Sequence, residues 1–345
     1  MRNTLILSML LICNLVAGAQ SFSLAEGQSA LVYSLPKTEL CVEIVTEKIT
    51  QQTGMFYRYS ERYLATNNVI TEEKTFYKLK SIKIITHAIP DANRTFSLIP
   101  NANSQLCKLS VNAQGILCGI NVPVDNEVIS PKTVVLPIKD NLKQATLLPL
   151  GEEYMMAGSE AKLAEGAAKQ IYRIRESRLS LLTADVEKSP ADGAALKSML
   201  EGLAKMEREL TELFIGKTSS EESIETVRLV PESPCDKKVL FRFSNLRGLV
   251  ATDDLSGVPY YISVQPTTIV SISANPKEKA EKAGLYYVIP ASTDILISDG
   301  VNTIFNGQFL IPQLGKTVPL PESLFKQQHL KVRIDSQTGR LLTIE

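Results

Sequence analysis

The sequence predicts an α+β protein in which two β-rich, antiparallel, sandwich-like domains flank an inserted antiparallel helical hairpin. Two observations lead there. Stretches rich in β-branched and aromatic residues, punctuated by glycine and proline, occupy both ends of the chain. Between them the apolar period shifts abruptly from about 2 to about 3.5 residues. The expected boundaries are a signal peptide at 1–19, an N-terminal β domain at 20–150, the hairpin at 151–218 and a C-terminal β domain at 219–345.

The N-terminus carries the export signature. Arg2 gives a positive start, residues 5–16 are mostly apolar, and Ala17-Gly18-Ala19 offers the small residues a signal peptidase needs. Ile12 precedes Cys13 where a lipoprotein signal requires a small residue, so Cys13 is not a lipid anchor. No later segment approaches ~18 consecutive apolar residues, and no transmembrane span is expected after the signal.

Composition narrows the chemistry. With 44% apolar and 21% charged residues the chain is globular, and 37 basic against 37 acidic residues leave no footprint for nucleic acid. The only two histidines, His87 and His329, are too few for most zinc sites and histidine-based triads. Tryptophan is absent, which weakens a sugar-stacking cleft. After the signal, Cys41, Cys107, Cys118 and Cys235 form no C-x-x-C pair. At most one disulfide, Cys107–Cys118, is expected, and free thiols are favoured.

Within the first β block, strands are expected over 30–35, 40–50 and 75–89, with a bulge or break where alternation fails between Tyr77 and Ile84. Residues 56–64 place Phe56, Tyr59 and Tyr63 at helical spacing and read as a short helix capping the sheet. The tyrosines Tyr57, Tyr59 and Tyr63 are the candidate ligand or partner surface, together with Phe214 further on. A hairpin is expected around Asn112-Ala113-Gln114-Gly115, with Val111 opposite Ile116. A second is expected around Asp335-Ser336-Gln337-Thr338-Gly339.

Ser159 is the expected N-cap of the first long helix, whose seam runs through Ala164, Ala167, Ile171, Ile174 and Leu181. Ser189-Pro190 starts the second, where Leu196, Met199, Leu203, Met206, Leu210 and Leu213 repeat at alternating threes and fours until Gly216 ends it. Arg178 falls on the first seam and is expected to pair with an acid of the facing helix. Leu213, Phe214 and Ile215 are too many for one seam, so a β domain or a partner must cover the remainder. In the last block, strands are expected over 239–243, 258–264, 268–273, 285–289, 294–298 and 304–310, ended by Pro290, Gly300 and Pro312.

No nucleophile elbow, P-loop, zincin or dinucleotide motif is present. His87 with Asp91 four residues on is a weak base candidate, and a strand-end histidine explains it equally. Asp253, Asp254 and Ser256 resemble turn oxygens more than a calcium loop. No catalytic, cofactor or metal residue is therefore nominated.

Four stretches carry a resemblance that spans nearly the whole exported chain: Leu35-Pro36-Lys37-Thr38, Tyr57-Arg58-Tyr59-Ser60-Glu61-Arg62-Tyr63-Leu64, Ile171-Tyr172-Arg173-Ile174-Arg175-Glu176-Ser177-Arg178-Leu179 and Gly284-Leu285-Tyr286-Tyr287-Val288-Ile289-Pro290. They resemble a family of secreted Bacteroidota proteins carried as a domain of unknown function. The resemblance implies a periplasmic or outer-membrane setting and supplies no activity or site residues. The expected function is a non-catalytic cell-envelope protein that binds a protein partner or an envelope polymer. The alternatives are a periplasmic hydrolase without a recognisable motif and a glycan-binding module. Protein exported by its native host should begin at Gln20 on N-terminal sequencing; a chain starting at Met1, or one retaining a lipidated Cys13, would refute the signal reading.

Overall fold

The structure is a computed structural model that describes residues 23–24, 28–29, 31–98, 109–124, 152–156, 158–183, 193–267, 285–320 and 330–345. The signal segment, Cys107, His329, the Ser189-Pro190 helix start and the strand expected over 268–273 lie outside the described residues.

After a short ribbon of β1 (Ser23–Leu24) and β2 (Gln28–Ser29), one strand organises the molecule. β3 (Leu31–Gln52) is 22 residues long, roughly 70 Å at ~3.3 Å per residue. It pairs along its length with the equally extended β4 (Lys74–Leu98). The expected breaks between separate strands are absent, because irregularities absorb what would have ended them. Lys80 is skipped where Val45 faces Ser81 and Thr46 faces Leu79, which is the bulge signalled by the failed alternation. The unopposed Lys80 ion-pairs with Glu222. Further along, Leu35 lies opposite residues 91–94.

The hairpin of β5 (Leu109–Val111) and β6 (Leu117–Ile120) forms as expected but in a shifted register: Ser110 faces Gly119 and Val111 faces Leu117, leaving Cys118 at the bulge. Between β3 and β4 lies α1 (Ser60–Leu64), which continues a 3-10 turn at Tyr57–Tyr59, and after β6 come α2 (Glu152–Met155), α3 (Glu160–Leu182) and α4 (Gly193–Ile215). The Ser159 side chain caps α3 by accepting from the Lys162 amide. Gly216 ends α4 at φ 88°, with no room for a Cβ beside the Gln52 carbonyl.

The remaining elements are β7 (Lys217–Leu229), β8 (Cys235–Ser244), β9 (Gly248–Val250), β10 (Val258–Pro266), β11 (Tyr286–Ser298), β12 (Thr303–Pro319), β13 (Val332–Ile334) and β14 (Leu341–Ile344). β11 and β12 run through the prolines expected to stop them. Ile289 pairs with Lys316 and Ala291 with Ile311, so Pro290 faces a four-residue excursion that contains Pro312.

The described strands form, besides the β1–β2 ribbon, three larger antiparallel sheets, ordered β4-β3-β7, β12-β11-β10-β8-β9 and β14-β13-β6-β5. Strand pairing crosses the boundaries expected at 150 and 219. β7 joins β3 from Leu40 to Gln52, and β13 joins β6. The two hairpins expected in separate outer domains thus share one sheet. Local patterning defines each hairpin, whereas pairing between distant strands depends on contacts that carry no local signature.

Three cores result. In the first, Leu40, Val42 and Ile44 of β3 pack against Phe241, Ile262 and Ile295 of the five-stranded sheet. In the second, Tyr33 and Leu35 meet Leu117, Val288 and Val332. The third is helical and gathers Phe56, Ala164, Ala167, Ile171, Leu210 and Phe214. Between Leu35 and Leu40 the inward-facing residues of β3 change parity, as expected where pairing slips beside a bulge.

The expected six-residue seam of α4 is only partly buried. Leu210 is interior, Leu203, Met206 and Leu213 are half-buried, and Met199 is 47% exposed. Beyond Ile174 the facing residues of α3 become polar, so apolar packing gives way to ion pairs from Arg175 and Arg178 to Glu207. The residue 56–64 element does not cap a sheet; Phe56 docks on Phe214 of α4, with ring centroids 5.4 Å apart. This segment covers the overfull end of α4 from within the same chain. Phe56 N–H donates to the Leu213 carbonyl (2.6 Å) and Ile70 N–H to that of Ile215 (2.9 Å), satisfying acceptors a helix end leaves open. Among the described residues no helix is long and apolar enough to cross a membrane.

The free edge of β3 ahead of β7 is satisfied piece by piece. Ser34 N–H donates to Gly115 (2.9 Å), and the Gln313 side chain both accepts from Thr38 N–H (2.9 Å) and donates to its carbonyl (2.8 Å). Arg94 donates to the Pro36 carbonyl (3.0 Å), the Pro312 carbonyl (3.1 Å) and the buried Asp91 carboxylate (2.6 Å). Arg94→Ala should lower unfolding free energy by about 3–5 kcal/mol in urea titration, because a buried carboxylate and two carbonyls lose their donor. Asn93→Ala, at an exposed neighbour, should change it by less than about 0.5 kcal/mol.

Candidate functional site

The sequence nominated Tyr57, Tyr59, Tyr63 and Phe214. The structure brings the three tyrosines together on the helical layer and removes Phe214 from the surface. Phe214 is fully buried against Phe56, because the excess apolar end of α4 is covered by the chain itself. It is a core residue.

The tyrosines are half-buried and interleaved with arginines. Arg58 lies over the Tyr57 ring at 5.5 Å and donates to its hydroxyl at 3.1 Å; Arg62 lies over Tyr63 at 5.3 Å. The Tyr59 and Tyr63 centroids are 6.3 Å apart. Tyr172 of α3, half-exposed, donates its hydroxyl to the Tyr63 carbonyl (2.8 Å) and carries Arg175 over its own ring at 5.7 Å. Cation–π contact aligns each guanidinium against a ring while leaving donors outward. Tyr172 extends this surface, and the sequence reading missed it because α3 was read only for its seam and its basic cluster. The usable signal was Tyr172 one position from the buried Ile171.

Beside this face, a cleft of about 750 Å³ opens between α4, α3 and the adjoining ends of β3 and β7. Arg175, Arg178 and Arg208 line it, with Glu207 and Glu212. Glu207 accepts from Arg175 Nε (2.7 Å) and from Arg178 Nη1, realising the interhelical pair expected for Arg178. Arg178 Nε is buried and has no hydrogen-bond partner among the described residues.

Other candidates resolve into structural roles. Asp91 serves Arg94 and not His87, which instead sits opposite Glu39 across the β3–β4 pair. Asp254 pairs with Arg247 (2.8 Å) and accepts from Ser256 N–H (2.9 Å), the contacts of a braced turn. Burial and the neighbouring Glu39 carboxylate hold the Cys41 thiol above its ordinary value, which disfavours the thiolate a nucleophile needs. Among the described residues, no three His, Cys, Asp or Glu side chains gather as a metal site.

Residues 29–342 match a domain of unknown function, DUF4831, and the chain belongs to that family. No curated protein and no solved structure matches it.

The hydrogen bond from Arg175, joined by that from Arg178, holds the Glu207 carboxyl below its usual value. A carboxylate whose folded value is depressed stabilises fully above its unfolded value of ~4.3 and loses that contribution as pH falls through the folded value. The urea midpoint should therefore drop less on acidification to pH ~3 in Glu207→Gln than in the unaltered chain. Equal drops would show that the pair contributes nothing.

Proposed function

We propose that this DUF4831 member is a non-catalytic, exported cell-envelope protein of the periplasm or outer membrane that binds a protein partner through its tyrosine–arginine face. The export signature supports the compartment, and the resemblance noted in the sequence supports a Bacteroidota setting. The observation that carries the binding role is the assembly of Tyr57, Tyr59, Tyr63 and Tyr172 with Arg58, Arg62 and Arg175 on one helical layer. Tyrosine and arginine are the residue types that dominate interface energetics, because each offers large contact area and directional polar groups.

In this reading α3 and α4 form one antiparallel hairpin acting as a rigid binding module. The apolar contacts near Ala164 and Leu210, together with the Arg175 and Arg178 pairs to Glu207, support it. Rigidity matters because a preformed face loses less side-chain freedom on association.

Tyr172→Ala combined with Arg62→Glu should leave thermal unfolding nearly unchanged, since both side chains are substantially exposed. Cross-linking of native envelopes, quantified by mass spectrometry, should show the partner's recovery falling by about tenfold or more relative to the unaltered protein. Leu246→Ser, on the exposed β8–β9 turn, should leave recovery intact. Equal recovery from the face variant would refute the face as the binding surface.

A further inference from the structure

We infer that the cleft between α4 and the ends of β3 and β7 is a binding site for a carboxylated sugar, in which Arg208 and Arg178 engage the carboxylate. This inference concerns a cleft that meets the tyrosine–arginine face only at Arg175, and it does not rest on the binding role given to that face. The cleft's volume of about 750 Å³ falls within the range of small-molecule sites, ~300–1,000 Å³, and accommodates a ring of sugar size.

Charge decides the sign of the ligand. Three arginines face two glutamates, and one of these, Glu207, already serves both Arg175 and Arg178. Arg208 forms no salt bridge among the described residues, so the wall keeps an excess of one positive charge. A single carboxylate neutralises it; a phosphate dianion overshoots. The planar guanidinium fork also matches a carboxylate, the group Glu207 already presents to Arg175 and Arg178.

The donors on the wall point the same way. Arg208 presents an exposed guanidinium, and Arg178, oriented by its Nη1 bond to Glu207, lines the same wall. The remaining polar side chains of the lining are Gln51, Asn68, Thr211 and Thr218, amides and hydroxyls that donate and accept as hydroxyl-bearing ligands require, although the Thr211 hydroxyl already donates to the Glu207 carbonyl. Ile70 and Ile215 supply the apolar floor for the ring's C–H face. The combination of one excess cation, amphoteric side groups and a small apolar floor describes an acidic monosaccharide or the end of an acidic glycan.

The test is calorimetric titration of the full exported chain with glucuronate, glucose, acetate and inorganic phosphate at constant ionic strength. Saturable glucuronate binding is expected, with glucose and acetate each at least about tenfold weaker, because each lacks one half of the recognised chemistry. Arg208→Gln should weaken glucuronate about tenfold without altering thermal unfolding, since this side chain is exposed and unpaired. Arg173→Gln, on α3 outside the cleft, should bind as the unaltered chain does. Absence of saturable glucuronate binding overturns the inference, as does equal binding by Arg208→Gln. Phosphate binding as tightly as glucuronate would show a general anion site and overturn the sugar assignment.

Discussion

Arg94 stands where β3 passes from one core into another, and the surrounding backbone depends on its donors. Pairing slips beside Pro36 and opposite the excursion that holds Pro312, and the carbonyls of both prolines accept from a side chain. The Arg94 guanidinium meets both while its Nε is held by Asp91. Such a cluster is costly to desolvate and tolerable only when every member is satisfied. Gln313 completes the arrangement by imitating a strand residue toward Thr38, whose amide and carbonyl would otherwise face a proline-disrupted neighbour. These two side chains join the three-stranded sheet to β12 and let β3 continue uninterrupted.

Continuity of β3 couples all three cores. Its first half supplies Tyr33 and Leu35 to one, its middle supplies Leu40, Val42 and Ile44 to another, and the chain just beyond it supplies Phe56 to the helical core. The helical layer is tied to the same strand a second time, because Lys217 of β7 pairs with Gln52 immediately after Gly216. Close approach makes this joint stiff: a Cβ at Gly54 would lie 2.4 Å from the Leu213 carbonyl. The tyrosine–arginine face and the neighbouring cleft are therefore carried on an element fixed at its base, which favours preformed recognition over folding upon binding.

Much of this was legible in short windows of sequence. The change of period located the helices, Ser159 and Gly216 marked helix ends, the failed alternation after Tyr77 marked the bulge, and Arg178 on a seam position implied its acid partner. Each rests on residues within a few turns or on one repeating pattern. What could not be read was long-range pairing. Nothing near β7 states that it will lie beside β3 rather than within a C-terminal sheet. A proline removes a ladder donor and so predicts a strand end, yet β11 and β12 continue past Pro290 and Pro312 through a register shift that no short window of sequence announces. Phe214 was nominated for the surface for the same reason: its cover, Phe56, is distant in sequence. The cleft has no local signature, because Arg208, Gln51 and Thr218 meet only once β3, α4 and β7 converge.

The tyrosines and arginines of the proposed face stand on helices, whereas the strands expose an edge. β7 is an edge strand whose residues 217–226 are all exposed, and an uncharged edge of that length would invite pairing with other chains. Glu221, Glu222 and Glu225 charge it, which protects the edge and leaves it ill suited to apolar contact. Helices satisfy their own backbone, so they can expose aromatic rings without offering an unpaired ladder. Tyr172 can stand half-exposed on α3 because its hydroxyl is held by the Tyr63 carbonyl and its ring by Arg175. Arg175 also donates to Glu207 at the rim of the cleft, so one guanidinium belongs to both surfaces. The face and the cleft are chemically distinct surfaces that meet at this one side chain.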